Sequence, residues 1–468
     1  MPVPHIPIEL WLLVAQFIPP HMLKNLMSVN RAFFCAEMAQ RYKEVGFFRA
    51  GARFHWFAIA CASYEYGIRP YFIQELLPSD ADGSSGTASL PDPLSSLECT
   101  FSSLSNLTEY HLAWFELPFV DDVPIDILRA PMLGSIRVQK LFLEASLPKL
   151  GLLLSFEERL PQLQELNISI RRDFGKLSNE EVAQDEIQFT SLISFLNRHQ
   201  STLQSFSFSS TYALDCAPLF QSLDRFPSLH EFTLSVPTPS PHLGDPSSLA
   251  KWMHTNCPSL HSLTLKTHFA DDGLAWETSF QDWIRSFVLS HPNVIPSLRS
   301  LKLSSGINTY SVYLLVRHFS HIITSLDLSG RHMTFDQVAT VMKELSFYDG
   351  SRVTSKLTVL RMGPVTLSPE LIDLLAELLP ELKELDLRIN NAVPHSHSPA
   401  AYTWTGYKSR NTRSQDTAQV EAFFEVMEKR RYPRWGLRRV AVWKFNSKLQ
   451  YQPRFVELFK ECIPNLAI

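Results

Sequence analysis

The chain has 468 residues, 45% of them hydrophobic and 19% charged, with a formal net charge of −4. This describes a globular protein of roughly two to four domains and excludes a disordered chain. The slightly acidic balance argues against a nucleic-acid or polyanion binder. The first patterned stretch is Ile6 to Phe34, IPIELWLLVAQFIPPHMLKNLMSVNRAFF. Pro7 and Glu9 suit a helix start, where proline has no amide hydrogen to lose and an acid faces the positive helix end. Leu10, Leu13, Val14, Phe17 and Ile18 follow at helical spacing, Pro19-Pro20 breaks the helix, and Leu23, Leu26, Met27 and Val29 form a second apolar series. Two short helices cannot bury all of this surface between them. The apolar run Ile8–Ile18 is interrupted by Glu9 and Gln16, lacks a basic leader, and reads as neither signal peptide nor membrane span.

Without a gap, the stretch presents Ile6-Pro7-Ile8-Glu9-Leu10, Val14, Ile18, Leu23 and Val29-Asn30-Arg31-Ala32-Phe33. At these residues it resembles the F-box, whose pattern is Leu-Pro-x-Glu-Leu, two aliphatic residues at intervals of four, a Leu, and Val-Cys/Ser-Lys/Arg-x-Trp. Ile6 replaces the first Leu, Asn30 the small Cys or Ser, and Phe33 the Trp. The resemblance covers about the first tenth of the chain. It implies docking of a Skp-type adaptor, and through it a cullin, by Pro7, Leu10, Val14, Ile18, Leu23, Leu26, Val29 and Phe33. Without the resemblance the stretch reads as an ordinary helical hairpin capping a larger domain.

Residues 35–78 continue in helical style, and 79–106, rich in Ser, Asp, Gly and Pro, read as a mobile linker. From about Leu107 the chain turns periodic. The unit Pro-x-Leu-x-x-Leu-x-Leu appears as LPQLQELNI (Leu163, Leu166, Ile168), FPSLHEFTL (Leu229, Phe232, Leu234), CPSLHSLTL (Leu260, Leu263, Leu265), IPSLRSLKL (Leu298, Leu301, Leu303) and LPELKELDL (Leu382, Leu385, Leu387). Weaker copies start at Leu107, Val138, Leu203, Ile323 and Leu357, and the spacing stays near roughly 30 residues. The last two apolar residues of a unit are two apart, so they share one face of a short strand. Helical patterns lie between units: Ser279–Leu289; Phe335–Leu345, entered through a Thr334-x-x-Gln337 capping box; and Pro369–Leu379, with proline in the first turn. One strand and one helix cannot close a core, so the units must stack.

This part resembles leucine-rich repeats, in the irregular form common in F-box proteins of (basidiomycete) fungi. The asparagine that usually follows Leu-x-Leu is mostly missing, only Asn390 falling in place. The expected fold class is α+β: a small N-terminal helical F-box (1–50), a connector and linker (51–106), and an irregular α/β leucine-rich-repeat solenoid, or horseshoe (107–468), with insertions at 236–248 and 390–416.

The second insertion carries Tyr402, Trp404 and Tyr407. It is followed by a helix, the basic run KRRYPRWGLRRVAVWK and a last strand, Val440 to Trp443. Arg434, Arg438 and Arg439, with those three aromatics, are candidate substrate-binding residues for an acidic or phosphorylated partner. The basic run also reads as a solvated helix end. Catalytic motifs are absent from the sequence: no Walker loop, no Gly-rich dinucleotide turn, no H-E-x-x-H and no G-x-S-x-G. His395-x-His397 lies in a polar loop without a Cys or carboxylate cluster, so no metal or cofactor is expected. The cysteines, Cys35, Cys61, Cys99, Cys216, Cys257 and Cys462, are far apart and read as reduced, mostly buried thiols of a cytoplasmic or nuclear protein. Together the two resemblances imply a non-catalytic substrate receptor of an SCF-type ubiquitin ligase. The alternative is a leucine-rich-repeat interaction scaffold outside such a ligase.

Overall fold

The computed structural model of the protein describes residues 107–466, apart from 115–124, 135–136, 172–184, 213, 239–243, 270–276, 291–293, 305–306, 349–350, 353–354, 397–412 and 445–452. Before residue 107 it describes only Val14, Ile18, Met22 and 44–47. Pro7, Leu10, Leu23, Leu26, Val29 and Phe33, like Tyr402, Trp404 and Tyr407, lie outside the described residues. Two compact units divide the chain, Met1–Leu203 and Gln204–Ile468.

In the first unit the elements run β1 (Glu44–Phe47), β2 (Glu109–Ala113), α1 (Ile125–Gly134), β3 (Lys140–Ala145), α2 (Leu147–Leu154), β4 (Glu165–Ile170) and α3 (Asp185–Arg198). The four strands are parallel, in chain order. Their apolar positions stand in register: Val45, Tyr110, Leu141 and Leu166 form one row, and Phe47, Leu112, Leu143 and Ile168 the next. Residues 44–47 are therefore strand, where the sequence reads as helical. Val45 and Phe47 alternate with Glu44 and Gly46, which gives this stretch the strand period.

The second unit continues the same alternation: β5 (Ser205–Ser210), α4 (Ala217–Ser222), β6 (Glu231–Thr238), α5 (Pro246–Asn256), β7 (Ser262–Phe269), α6 (Glu277–Ser290) and β8 (Ser300–Leu303). There follow α7 (Thr309–Phe319), β9 (Ser325–Met333), α8 (Phe335–Ser346) and the short antiparallel pair β10 (Phe347–Tyr348) and β11 (Ser351–Arg352). The unit closes with β12 (Val359–Leu367), α9 (Pro369–Leu378), β13 (Glu384–Ala392), α10 (Arg413–Met427), β14 (Arg439–Lys444) and α11 (Pro453–Cys462). Apart from the short pair, its strands are parallel in chain order. Phe206, Phe232, Leu263, Leu301, Leu326, Leu360, Leu385 and Val440 form one continuous row. Parallel strands alternating with helices, with the leucines of each unit in one row, fit an α/β leucine-rich repeat.

The first leucine of each unit sits where the chain turns into its strand. The amide of Leu163 reaches the carbonyl of Leu160 at 3.1 Å, and the same turn recurs at Leu260 to Cys257, Leu298 to Ile295 and Leu382 to Leu379, each 3.2 Å. All of these leucines are fully buried. The two amides after the turn then share one carbonyl of the previous unit, as His230 and Glu231 do with Gln204 at 2.8 and 3.1 Å. Helix starts are chemically marked. Thr334 N–H donates to Gln337 Oε1 (3.0 Å) while Gln337 N–H reaches Thr334 Oγ1 (3.4 Å), the reciprocal capping box. Ser368 Oγ accepts from Leu371 N–H at 3.2 Å just before Pro369.

The two ends of the Pro-rich segment 236–248 are regular, and 239–243 lie outside the described residues. β6 runs through Pro237 to Thr238 in register with β7, and Asp245 caps α5 by accepting from Ser247 N–H at 2.9 Å. Pro237 is tolerated because its missing amide would face β5, whose pairing with β6 ends at Ser235. Gly363 in β12 has φ 133°, and a Cβ there would fall 2.1 Å from the carbonyl oxygen of Arg388. Only glycine lets β12 and β13 approach this closely. Cys216, Cys257 and Cys462 are free and buried. No described helix is long and apolar enough to cross a membrane.

Leu301 is 0% exposed in the centre of its row. Leu301→Ala should lower the unfolding free energy by about 2–5 kcal/mol, read by chemical denaturation. His199 is buried in the first unit: its Nε2 accepts the Leu160 amide at 2.9 Å and its Nδ1 donates to the Phe195 carbonyl at 2.8 Å. Burial holds its pKa below the ordinary histidine value. The unfolded chain then takes up a proton before the folded one, so this stability is lost as pH falls below about 6.5. His199→Gln should flatten the decline of stability between pH 7.5 and the acid side relative to the native chain.

Candidate functional site

In each strand the residues that alternate with the leucines point away from the helices, onto the other face of the sheet. The side chains of this face differ sharply along the chain. In the first unit, Lys140 bridges two neighbours across the strands, its Nζ 3.5 Å from Glu109 and 3.3 Å from Glu165. The two carboxylates raise its pKa, Glu165 most. Beside them the rings of His111 and Phe142 stack at 4.0 Å, and Arg171 pairs with Glu144.

In the second unit β5 to β7 present mainly hydroxyls, Ser205, Ser207, Thr233, Ser262 and Thr264, with Glu231 two residues before Thr233 and Lys266 two after Thr264. From β8 onward the face becomes charged. The residue between the last two leucines of each unit makes an in-register row: Lys302, Asp327, Arg361, Asp386 and Ala441 on β8, β9, β12, β13 and β14. Lys302 Nζ stands 3.4 Å from Asp327 Oδ2, and Asp327 Oδ1 also accepts from Ser329 N–H at 2.9 Å. On the flanking rows, Arg439 lies 3.9 Å from Glu384, and Arg388 is in register with Trp443.

Asp386 is the exception in this row. Its Oδ1 is shut off from solvent and has no hydrogen-bond partner. Burial raises its pKa above the usual carboxylate value, against the pull of Arg361 and Arg388; the Asp327 charge adds to the rise and the Trp443 indole opposes it. Over β13, between Arg361 on one side and Ala441, which contributes only a methyl group, on the other, is a hollow of about 50 Å³ lined also by Val359, Glu384, Asp386 and Arg439. Small-molecule sites typically occupy roughly 300–1,000 Å³, so this hollow is the size of a side-chain group.

The structure sorts the basic run into structural and exposed parts. Arg430 Nε donates to both oxygens of Asp373 on α9 (3.1 and 3.0 Å), and Tyr432 O–H donates to Asp373 Oδ1 at 2.5 Å. Trp435 is 2% exposed and its indole N–H donates to the Leu379 carbonyl at 3.0 Å. These residues fasten the approach to β14 onto α9. Arg434, Arg438 and Arg439 are exposed, with Arg439 on the charged face and Arg438 at its rim, joined to β13 by a backbone bond to Lys383. His395 sits against Glu370 (3.2 Å), which also accepts the Ser396 amide at 3.0 Å. Among the described residues no group of three His, Cys, Asp or Glu could hold a metal. Sequence reasoning missed Lys302, Asp327, Arg361, Asp386 and Arg388. Their signal was available, since each occupies the variable position between or just after the paired leucines.

No protein-family model matches the chain, and no curated protein does. Among solved structures the chain is similar to the leucine-rich repeat-containing protein LegL7 from Legionella pneumophila, at 14% identity over 80% of this chain and 95% of that one, with a TM-score of 0.37. The repeat assignment accordingly rests on the register of the strands themselves.

Proposed function

We propose that this chain is the substrate-recognition subunit of an SCF-type cullin–RING ubiquitin ligase. In this reading Pro7, Leu10, Val14, Ile18, Leu23, Leu26, Val29 and Phe33 dock a Skp-type adaptor, which carries the cullin. The charged sheet face of the C-terminal strands holds a protein substrate, with Arg434, Arg438 and Arg439 at its edge and Tyr402, Trp404 and Tyr407 in the neighbouring insertion. The observation that carries the reading is the F-box pattern of residues 6–33 in a single gap-free register. Val14 is 46% and Met22 52% exposed, apolar surface of the kind a partner covers.

A receptor of this kind breaks and makes no bonds. It raises the effective concentration of substrate lysines near a ubiquitin-charged enzyme, which is a tethering effect. Its place of work would be the cytoplasm or nucleus. The repeat architecture taken by itself supports the coarser reading, a protein-interaction scaffold, and that holds with or without the adaptor.

The full-length chain should therefore co-purify with a Skp-type adaptor. Leu10→Asp or Val29→Asp would place an unpaired charge in that interface and cost on the order of 3–5 kcal/mol, enough to abolish capture. Circular dichroism verifies that the variants fold. Unchanged adaptor capture by both would remove the ligase reading and leave the scaffold.

A further inference from the structure

On this fold's open face, carboxylates of neighbouring strands are joined by cations. Lys140 stands between Glu109 and Glu165 in the first unit. In the second, Lys302 meets Asp327, and Arg361 follows in register between Asp327 and Asp386. The row thus alternates in sign, cation, anion, cation, anion, until it reaches β14. There the next member should be a cation, and the chain has Ala441. Beside that gap a hollow lies over β13, between Arg361 of β12 and Ala441 of β14, and Asp386 has an oxygen that finds no hydrogen-bond donor.

Two neighbours could in principle fill the gap from within the chain. Arg439 lines the hollow, but it belongs to the adjacent row and faces Glu384, its own register partner, with its side chain 74% exposed. Arg361 already stands on the other side of Asp386. The hollow is lined by two carboxylates, Glu384 and Asp386, and two arginines, Arg361 and Arg439. The charges of the lining balance, so the choice falls to the Asp386 oxygen that has no donor: an ammonium or guanidinium group supplies one and an anion cannot.

We propose that the hollow between Arg361 and Ala441 takes a lysine or arginine side chain of a partner protein, which supplies the missing cation of the row beside Asp386 and Glu384. This rests on the reading of the sheet face as the substrate-holding surface and names a feature of what it holds: an exposed basic residue. The size agrees, since a hollow of about 50 Å³ takes a group the size of an ammonium or guanidinium. Trp443, in register with Arg388 one row on, offers an aromatic face for the remainder of the bound segment.

The test uses the full chain, isotope-labelled for amide NMR, and three probes: the N-acetyl methylamides of lysine, norleucine and glutamate. The lysine probe should shift the amides of Ala441 and Asp386, and the other two should not. Asp386→Asn, which keeps shape and removes charge, should weaken the lysine probe by roughly tenfold, the weight of one charge-assisted contact. Ala441→Lys should supply the cation in cis, abolish probe binding and raise the melting temperature. If that variant does not fold, Asp386→Asn decides alone. Shifts with the glutamate probe instead, undiminished lysine binding in Asp386→Asn, or no shift with any probe would each overturn the proposal. Adaptor capture is scored separately: a chain that binds the lysine probe but no adaptor keeps this site and loses the ligase role, and the reverse result does the opposite.

Discussion

Residue-for-residue alignment of parallel strands is the constraint on which the other features rest. A strand shows opposite faces at successive residues, so sliding one strand by a single position would carry its leucines out of the core and its charges into it. The doubled amide bonds at each strand start, such as His230 and Glu231 on the Gln204 carbonyl, fix that position before the strand begins. The buried first leucine and its tight turn hold the entry angle. Everything after the strand is freer, which is why the repeats of the second unit's row tolerate spacings from 25 (Leu301 to Leu326) to 55 residues (Leu385 to Val440) without losing register.

Fixed register has an electrostatic consequence. Adjacent strands lie roughly 4.7–4.9 Å apart, so residues at equivalent places in successive units stack as direct neighbours on the open face. Like charges repeated from unit to unit would oppose one another, and opposite charges would support one another. The chain answers in two ways. In the row between the paired apolar residues it uses neutral hydroxyls over β5 to β7 (Ser207, Thr233 and Thr264), and from β8 to β13 it alternates sign. The sequence repeats its leucines and varies what lies between them because the two sets answer to different neighbours, helices on one side and adjacent strands on the other.

This separation explains what could be read from residues alone. Every strand expected from the Leu-x-x-Leu-x-Leu unit is present, because two leucines two apart with a third three before them specify both period and turn. The Thr334–Gln337 box and Pro369 marked their helix starts correctly for the same local reason. Residues 44–47 were misread because four residues are too few for periodicity to separate strand from helix, and what makes them strand is a partner, β2, more than 60 residues away in sequence. The basic run was legible as charge but not as structure. Nothing in the run itself shows that Arg430 and Tyr432 both reach Asp373 on a helix before the previous strand. The charge row was overlooked for the opposite reason: its members sit at readable positions of the repeat, but each is an ordinary isolated Lys, Asp or Arg until the units are laid side by side.

The stability of the repeat comes from the leucine rows, so residues on the open face contribute little to it and can change without unfolding the chain. A half-buried carboxylate with no donor for one oxygen is a different matter. Its raised pKa means that ionising it at neutral pH works against folding, since the unfolded chain gives up that proton more readily. Asparagine would fit the same space without that cost. Local features that oppose stability and lack compensation within the fold are found preferentially where a protein acts on something else. The open face carries many charges, but Asp386 lacks a cation on its Ala441 side, and the hollow reaches that side. The place where the repeat breaks its own rule is also the place where a partner's side chain would restore it.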